Sequence, residues 1–432
     1  MTNIHQKLWL LILPVVAWFY IGLFATMWFW YPAGISAELW QDHVINFSVV
    51  YLIWFILFFV YTLFDQTTFR SVSVFVPRFI AAIFSCVVVA VLYFYFQPDL
   101  LLTPRRFLLV HALITFIGIS LWYVWVQYVL PRIWQRHLFV HPRLGMDNLK
   151  HEIEQFLSNN RTLGWQYIGE FNSSGNIASE RTTVILPAGI SLEPEELSEL
   201  FKFKQQGVEF LEHPEFYELI QRRVSLIDLN EIWFLRSVNY RQRIFDLIKR
   251  LIDIAVGSLG LVILTIVYPV VALLIKATSP GSIFFVQKRV GQFGKEFQVY
   301  KFRTMTVGEG NTWTADKDLR ITSVGKILRK LRIDELPQFI NIFLGNMSLV
   351  GPRPEQVHIV EDLKVQIPYY NERHMVKPGL TGWSQLHIYA NSVEGSKLKL
   401  QYDLYYIKHR SLWFDLEIIL RTIFHILTMQ GQ

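Results

Sequence analysis

Asp334 and Glu335 stand side by side ahead of Leu336-Pro337, with Arg329 and Arg332 just upstream and Gly351-Pro352-Arg353-Pro354 downstream. Adjacent carboxylates among cations suit the handling of phosphate. A carboxylate can attack phosphorus or ligate a hard cation, and arginines can hold the charge that builds on phosphate oxygens. Asp334 has the side chain of a helix N-cap, and a helix starting at Glu335 would put Pro337 in the first turn, where its missing N–H costs nothing. Such a helix end carries about half a positive charge and free N–H groups, which favour phosphate. Beside Arg329 and Arg353, Asp334 is expected to stay ionised at neutral pH. An isolated Asp-Glu pair is more commonly a solvated helix cap, so the rest of the chain decides.

Further cations come from predicted strands. Ile283–Arg303 reads as a β-hairpin turning at Gly291 and Gly294, glycines that permit a tight turn. Arg289, Lys301 and Arg303 are thereby placed by strands, and the prolines flanking Arg353 stiffen its backbone. The order of expectation for phosphate contact is Arg353, then Lys301 and Arg329, then Arg303 and Arg289. His358 and His374 read as structural. Val307–Leu319 is polar and reads as a mobile loop. Val324–Leu331 reads as a helix with Ile327, Leu328 and Leu331 on one face, suited to a membrane interface. Gly345-Asn346 is a stop for the apolar helix after the carboxylates.

The elements that must carry this site are largely apolar. The 432 residues are 52% hydrophobic and 16% aromatic with net charge +6, a composition of membrane proteins that contact anionic groups. Cys86 is the one cysteine, which excludes disulfides and cysteine metal sites. With no basic tract or zinc-finger spacing, nucleic acid is not an expected partner. Leu8–Tyr31, Ile45–Phe64, Phe79–Phe96 and Phe107–Leu130 contain no Asp, Glu, Lys or Arg, and each suits a ~30 Å hydrocarbon core. The first is expected to be retained as a span. Lys7, Arg70, Arg78, Arg132, Arg136 and Arg143 mark one side against Arg105 and Arg106 on the other, which places both termini in the cytosol.

Residues 137–236 alternate apolar stretches, Trp165–Phe171 and Thr183–Leu186, with helical patterns at Pro194–Gln206 and Pro214–Arg223, the signature of a small α/β module. No Gly-x-Gly-x-x-Gly follows its first strand, so a bracing or oligomerising role is expected and no dinucleotide site. A fifth apolar run, Leu251–Ile275, is flanked by Arg243, Lys249 and Arg250 on one side and Lys276, Lys288 and Arg289 on the other, and holds Tyr268-Pro269. Basic residues at both ends and a helix-kinking proline point to a helix that enters and leaves on one face, at about 251–276.

The run from Gln287 to Met305, then Arg320-Ile321-Thr322-Ser323-Val324-Gly325, Asp334-Glu335-Leu336-Pro337-Gln338-Phe339-Ile340-Asn341, Asn346 to Glu355 and Lys377-Pro378-Gly379-Leu380-Thr381-Gly382-Trp383 resemble the bacterial sugar transferases. These are the polyprenyl-phosphate hexose-1-phosphate transferases, or monotopic phosphoglycosyl transferases. The likeness covers roughly 240–430. Four preceding spans and a degenerate Rossmann-like module make the chain similar to long members that act as undecaprenyl-phosphate glucose or galactose phosphotransferases and start capsule, O-antigen or exopolysaccharide assembly.

The resemblance implies an α-helical membrane protein with α/β parts: a transmembrane region at 1–136, a cytosolic α/β module at 137–236, and a catalytic domain at 237–432 with a re-entrant helix and interfacial amphipathic helices. It implies Asp334 as nucleophile toward a UDP-hexose, UMP as leaving group and undecaprenyl phosphate as acceptor. Glu335 falls on the second dyad position, with Mg²⁺ held by Asp334 and Glu335. Membrane lipids, a homodimer and the bacterial inner membrane complete the expectation. Tyr268-Pro269 departs from the serine-proline of some short members. A transporter and a scaffold stand as alternatives, as does a sugar transferase releasing UDP, for which Asp316-Lys317-Asp318 is the one Asp-x-Asp.

Overall fold

The structure is a computed structural model that describes residues 3–64, 72–96, 105–129, 132, 135–144, 153–154, 157, 165–172, 181–189, 193–226, 229, 231–238, 242–306, 320–388 and 392–427. It forms two compact units, Met1–Phe216 and Tyr217–Gln432.

In the first unit the apolar runs become helices α1 (Asn3–Trp30), α2 (Ala37–Val60), α3 (Val72–Tyr95) and α4 (Arg105–Tyr128). Each holds a stretch of 19 to 24 residues long and apolar enough to cross a membrane. Their outward faces remain apolar, with Trp28, Leu52, Phe84 and Leu121 exposed, while Phe19, Phe47, Trp54 and Phe58 fill the core. Gly22 and Gly118 let α1 and α4 approach closely. A Cβ at Gly22 would lie 2.0 Å from Thr115 Oγ1. His111, inside this bundle, meets Tyr51 Oη at 2.9 Å through Nε2.

The same unit continues with β1 (Arg136–Val140), β2 (Trp165–Glu170), β3 (Thr182–Leu186), α5 (Pro194–Gln205) and β4 (Glu209–Glu212), after which α6 (His213–Gln221) begins. The strands make a parallel sheet in the order β2-β1-β3-β4, as a module of alternating strands and crossover helices should. β2, β3, α5 and α6 lie where the apolar pattern places them. β1 and β4 are short, and polar residues in each hide the pattern.

The second unit holds α7 (Glu231–Ser237), α8 (Arg243–Thr278), β5 (Phe284–Val290), β6 (Glu296–Phe302), α9 (Ser323–Lys330), α10 (Gln338–Leu344), β7 (Ser348–Val350), α11 (Val357–Gln366), β8 (Gly379–Thr381), α12 (Val393–Lys408) and α13 (Leu412–Leu427). Val224, Phe234 and Val238 pack into its main core with Val350, Trp383, Leu400 and Tyr406. α8 runs for 36 residues with Pro269 inside, about 54 Å of helix at 1.5 Å per residue. Its covered stripe is Asp253, Gly257, Gly260, Leu264, Val271 and Ile275, spaced three, four or seven apart as one helix face requires. The other faces expose Leu251, Leu259, Val262, Ile266, Val270 and Leu273. A helix apolar all round but covered on one stripe suits lipid. A mostly helical chain with five such helices among the described residues and small parallel sheets fits a membrane protein with α/β parts.

Candidate active site

β5 and β6 form the antiparallel hairpin expected from the glycines, with Phe285 opposite Lys301 and Arg289 opposite Phe297. After the second strand, Thr322 caps α9 by accepting from Gly325 N at 2.9 Å. At the end of α9, Arg332 adopts a left-handed backbone (φ 55°), a conformation that strains a non-glycine residue by about 1–3 kcal/mol. That reversal starts a single 3₁₀ turn, Ile333–Glu335. Asp334 therefore does not cap a helix at Glu335. Phe339 N and Ile340 N bond back three residues to Leu336 O and Pro337 O, Pro337 offers no N–H, and regular α-helix begins only at Gln338. The phosphate-favouring helix end expected at Asp334 is replaced by side-chain cations.

α10 is pinned to α8 behind this turn. A Cβ at Gly260 would lie 2.2 Å from the Phe339 ring, and one at Gly257 3.3 Å from Phe343 N. Arg250 of α8 donates to Ile342 O and Phe343 O, each at 2.8 Å, which satisfies the carbonyls of α10's last turn.

Glu335 Oε1 gathers Lys301 Nζ at 3.0 Å, an Arg353 guanidinium nitrogen at 3.3 Å and one of Arg332 at 3.9 Å. Burial works to raise the Glu335 carboxyl, but these three cations outweigh it and hold the group far below the usual carboxylate range. Asp334 differs. It is 8% exposed, and its Oδ1 is buried with no hydrogen-bond partner among the described residues. Burial and the neighbouring Glu335 charge raise its carboxyl to about 6 against the pull of Lys301, Arg329 and Arg332. Asp334 is ionised at neutral pH by a narrower margin than its cations alone would give. Lys301 is lowered by burial and by Arg353, with Glu335 opposing.

Lys301, Arg353 and Arg332 thus meet at Glu335, and the field of Arg329 reaches Asp334. Arg329 Nε is steadied by Thr304 Oγ1 at 2.9 Å. Arg289 lies behind Arg353 and donates to Gln287 Oε1 (2.7 Å) and Pro354 O (3.2 Å). Burial and Arg353 bring its guanidinium down to about 10. Arg303 is directed elsewhere. Its guanidinium donates to Pro280 O (2.9 Å) and Ser279 O (2.8 Å) beyond the end of α8, so it binds chain where phosphate contact was expected. His374 is buried, and burial with Arg373 lowers it to about 3. Asp316-Lys317-Asp318 and the rest of 307–319 fall outside the described residues.

Among the described residues no group of three or more His, Cys, Asp and Glu could hold a metal ion. The partnerless Oδ1 of Asp334, next to a second carboxylate, fits one hard cation whose other ligands come from elsewhere. Sequence reading overlooked Asp253, which accepts from Ser348 Oγ (3.1 Å) and Leu349 N (2.9 Å) and so ties α8 to the strand leading into Gly351. As the one acid within the fifth apolar run, it carried a readable signal.

The family model described as bacterial sugar transferase matches residues 244–429. An Aeromonas hydrophila UDP-N-acetylgalactosamine-undecaprenyl-phosphate N-acetylgalactosaminephosphotransferase is 45% identical over 192 residues, which is 44% of this chain and 45% of that protein. An Escherichia coli K12 UDP-glucose:undecaprenyl-phosphate glucose-1-phosphate transferase is 42% identical over 184 residues, 41% of this chain and 40% of the relative. The matched part thus spans less than half the length of either. A Xanthomonas campestris pv. campestris protein with the same name as the second is 32% identical over 373 residues, covering 74% of this chain and 77% of the relative.

Proposed function

This chain belongs to the bacterial sugar transferase family, and on that premise we propose that it transfers a hexose-1-phosphate from a UDP-sugar to undecaprenyl phosphate and releases UMP. The observation that carries the reading is the buried, partnerless Oδ1 of Asp334 beside a cluster of cations. In the first step that oxygen attacks the sugar-bearing phosphorus, the bond to the bridging oxygen breaks, and UMP takes the electron pair. The sugar phosphate is left on Asp334 as an acyl phosphate. In the second step a phosphate oxygen of undecaprenyl phosphate attacks the same phosphorus and Asp334 leaves as carboxylate. Lys301, Arg353 and Arg329 stabilise the charge on the phosphoryl oxygens. Arg289 sets the Gly351–Glu355 turn that presents Arg353. Glu335 holds Lys301 and Arg353 in place. Asp334 with Glu335 would hold Mg²⁺, which when bound neutralises diphosphate charge.

The setting we propose is the cytosolic face of the bacterial inner membrane. There α1 to α4 span and α8 re-enters, which keeps the basic flanks at both of its ends on one side. The α/β module braces a homodimer. Cysteine labelling from outside should reach position 38 and miss 276 and 397; labelling at 397 would overturn the re-entrant arrangement. The activity itself is tested by supplying a panel of UDP-sugars with undecaprenyl phosphate and identifying the nucleotide released. UMP supports the reading, and UDP would make the protein a sugar transferase of another kind.

A further inference from the structure

Asn341 lies in the middle of α10, six residues beyond Glu335, and is fully shielded from solvent at 0% exposure. Its carboxamide does not point toward the dyad. Oδ1 accepts from Tyr300 N at 3.2 Å, and Nδ2 donates to Gln298 O at 2.6 Å. Among the described residues β6 pairs with a strand on one edge only. Arg303 N donates to Ile283 O and Gly291 N to Lys295 O, so by antiparallel alternation the odd-numbered residues of β6 bond to β5. The backbone groups of Gln298 and Tyr300 then face the open edge. Asn341 closes that edge as a one-residue stand-in for a missing strand.

The consequence falls on Lys301, the next residue along β6, whose Nζ reaches Glu335 Oε1 at 3.0 Å. Lys301 and Glu335 belong to different segments, and Asn341 fixes their register on the Glu335 side. The segment it grips from is itself locked to α8 by Phe339 against Gly260 and by Arg250. We propose that Asn341 is a positioning residue that sets the reach of Lys301 to Glu335, and so the cation geometry that meets the phosphate. The proposal rests on the activity argued above. A carboxamide alone supplies donor and acceptor from one short side chain. Aspartate would set an acceptor against Gln298 O, and alanine would leave two part-buried backbone groups without this partner.

The test uses the full chain in detergent or nanodiscs, with Asn341→Ala, Lys301→Met, the double variant, and Asn341→Ser in case alanine does not fold. Hydrogen exchange at the Tyr300 amide should speed up by about tenfold or more in Asn341→Ala, once its acceptor is gone. An unchanged rate overturns the clamp. Turnover per folded molecule should fall about 30-fold in Asn341→Ala with KM for the UDP-sugar little moved. In the Lys301→Met background the same substitution should cost no more than about threefold, because both changes act through one contact. Equal costs in the two backgrounds would make Asn341 merely structural. If the wild type transfers no sugar phosphate, the proposed activity falls, and the Tyr300 exchange rate alone decides the clamp.

Discussion

Two of the carboxylate and cation clusters in the C-terminal unit flank Arg353, one complete and one not. Behind Arg353, Arg373 is 1% exposed and gives Nε and a terminal nitrogen to Asp403 Oδ2 at 3.0 and 2.8 Å. It also donates to Tyr370 Oη at 2.8 Å and to Arg353 O at 3.1 Å. Ser384 Oγ donates to Asp403 Oδ1 at 2.7 Å, and Lys399 Nζ to Glu355 Oε1 at 2.8 Å. Burial would raise Glu355, yet Lys399 and Arg373 bring it to about 2. In front of Arg353, Asp334 keeps an oxygen with no partner and a carboxyl raised to about 6. The same ingredients therefore brace the fold in one place and, left unfinished, leave a carboxylate oxygen open in the other, the one proposed above as the nucleophile. Such incompleteness costs stability and is concentrated where chemistry occurs.

Breaking each cluster should give opposite signatures. Asp334→Asn should lower turnover by at least about 10³-fold, since it removes the attacking charge and keeps the shape. It should not lower the unfolding midpoint at pH 7. A carboxyl whose folded pKa, about 6, lies above its unfolded value near 3.9 loses stability as pH rises through that window, so removing it relieves a cost. A marked drop in midpoint would mean that Asp334 braces the fold after all.

Arg373→Met should do the reverse and lower unfolding free energy by about 3–5 kcal/mol, because Asp403 stays buried without its main cation and Glu355 is left to Lys399. Denaturant unfolding measures this, and a loss under about 1 kcal/mol would show that the complete cluster does not carry the turn bearing Arg353.

The smallest effect sharpens the contrast in protonation. UMP release at limiting UDP-sugar should fall about tenfold per pH unit below about 6, as Asp334 takes up a proton. Glu335, held far below the usual range, should contribute nothing in that window. A rate that rises toward pH 5 would assign the limb to another group.

Much of this was legible in the chain, for local reasons. Apolar runs of membrane length, the glycine-turned hairpin, and the Asp334-Glu335 pair among arginines are all carried by residue type and spacing. The backbone at the dyad was not legible. Asp334 and Pro337 have helix-start chemistry, but the left-handed Arg332 closes a 3₁₀ turn first. Arg303 shows why charge alone misleads, since its partners are carbonyls beyond the end of α8, set by tertiary contact. The Arg373–Asp403 pair and the Asn341 clamp join residues 30 or more apart, where no local pattern marks them. Asp253 alone among the unforeseen residues announced itself, as an acid in an apolar helix.

The central claim is that Asp334 becomes covalently bound to sugar phosphate. With radiolabelled UDP-sugar and Mg²⁺ but no lipid acceptor, the wild type should release about one UMP per active site in a burst and retain the sugar phosphate on the protein. Peptide mapping should place the adduct on Asp334, and Asp334→Asn should trap none. An adduct formed by that variant, or none formed by an active wild type, would contradict the account.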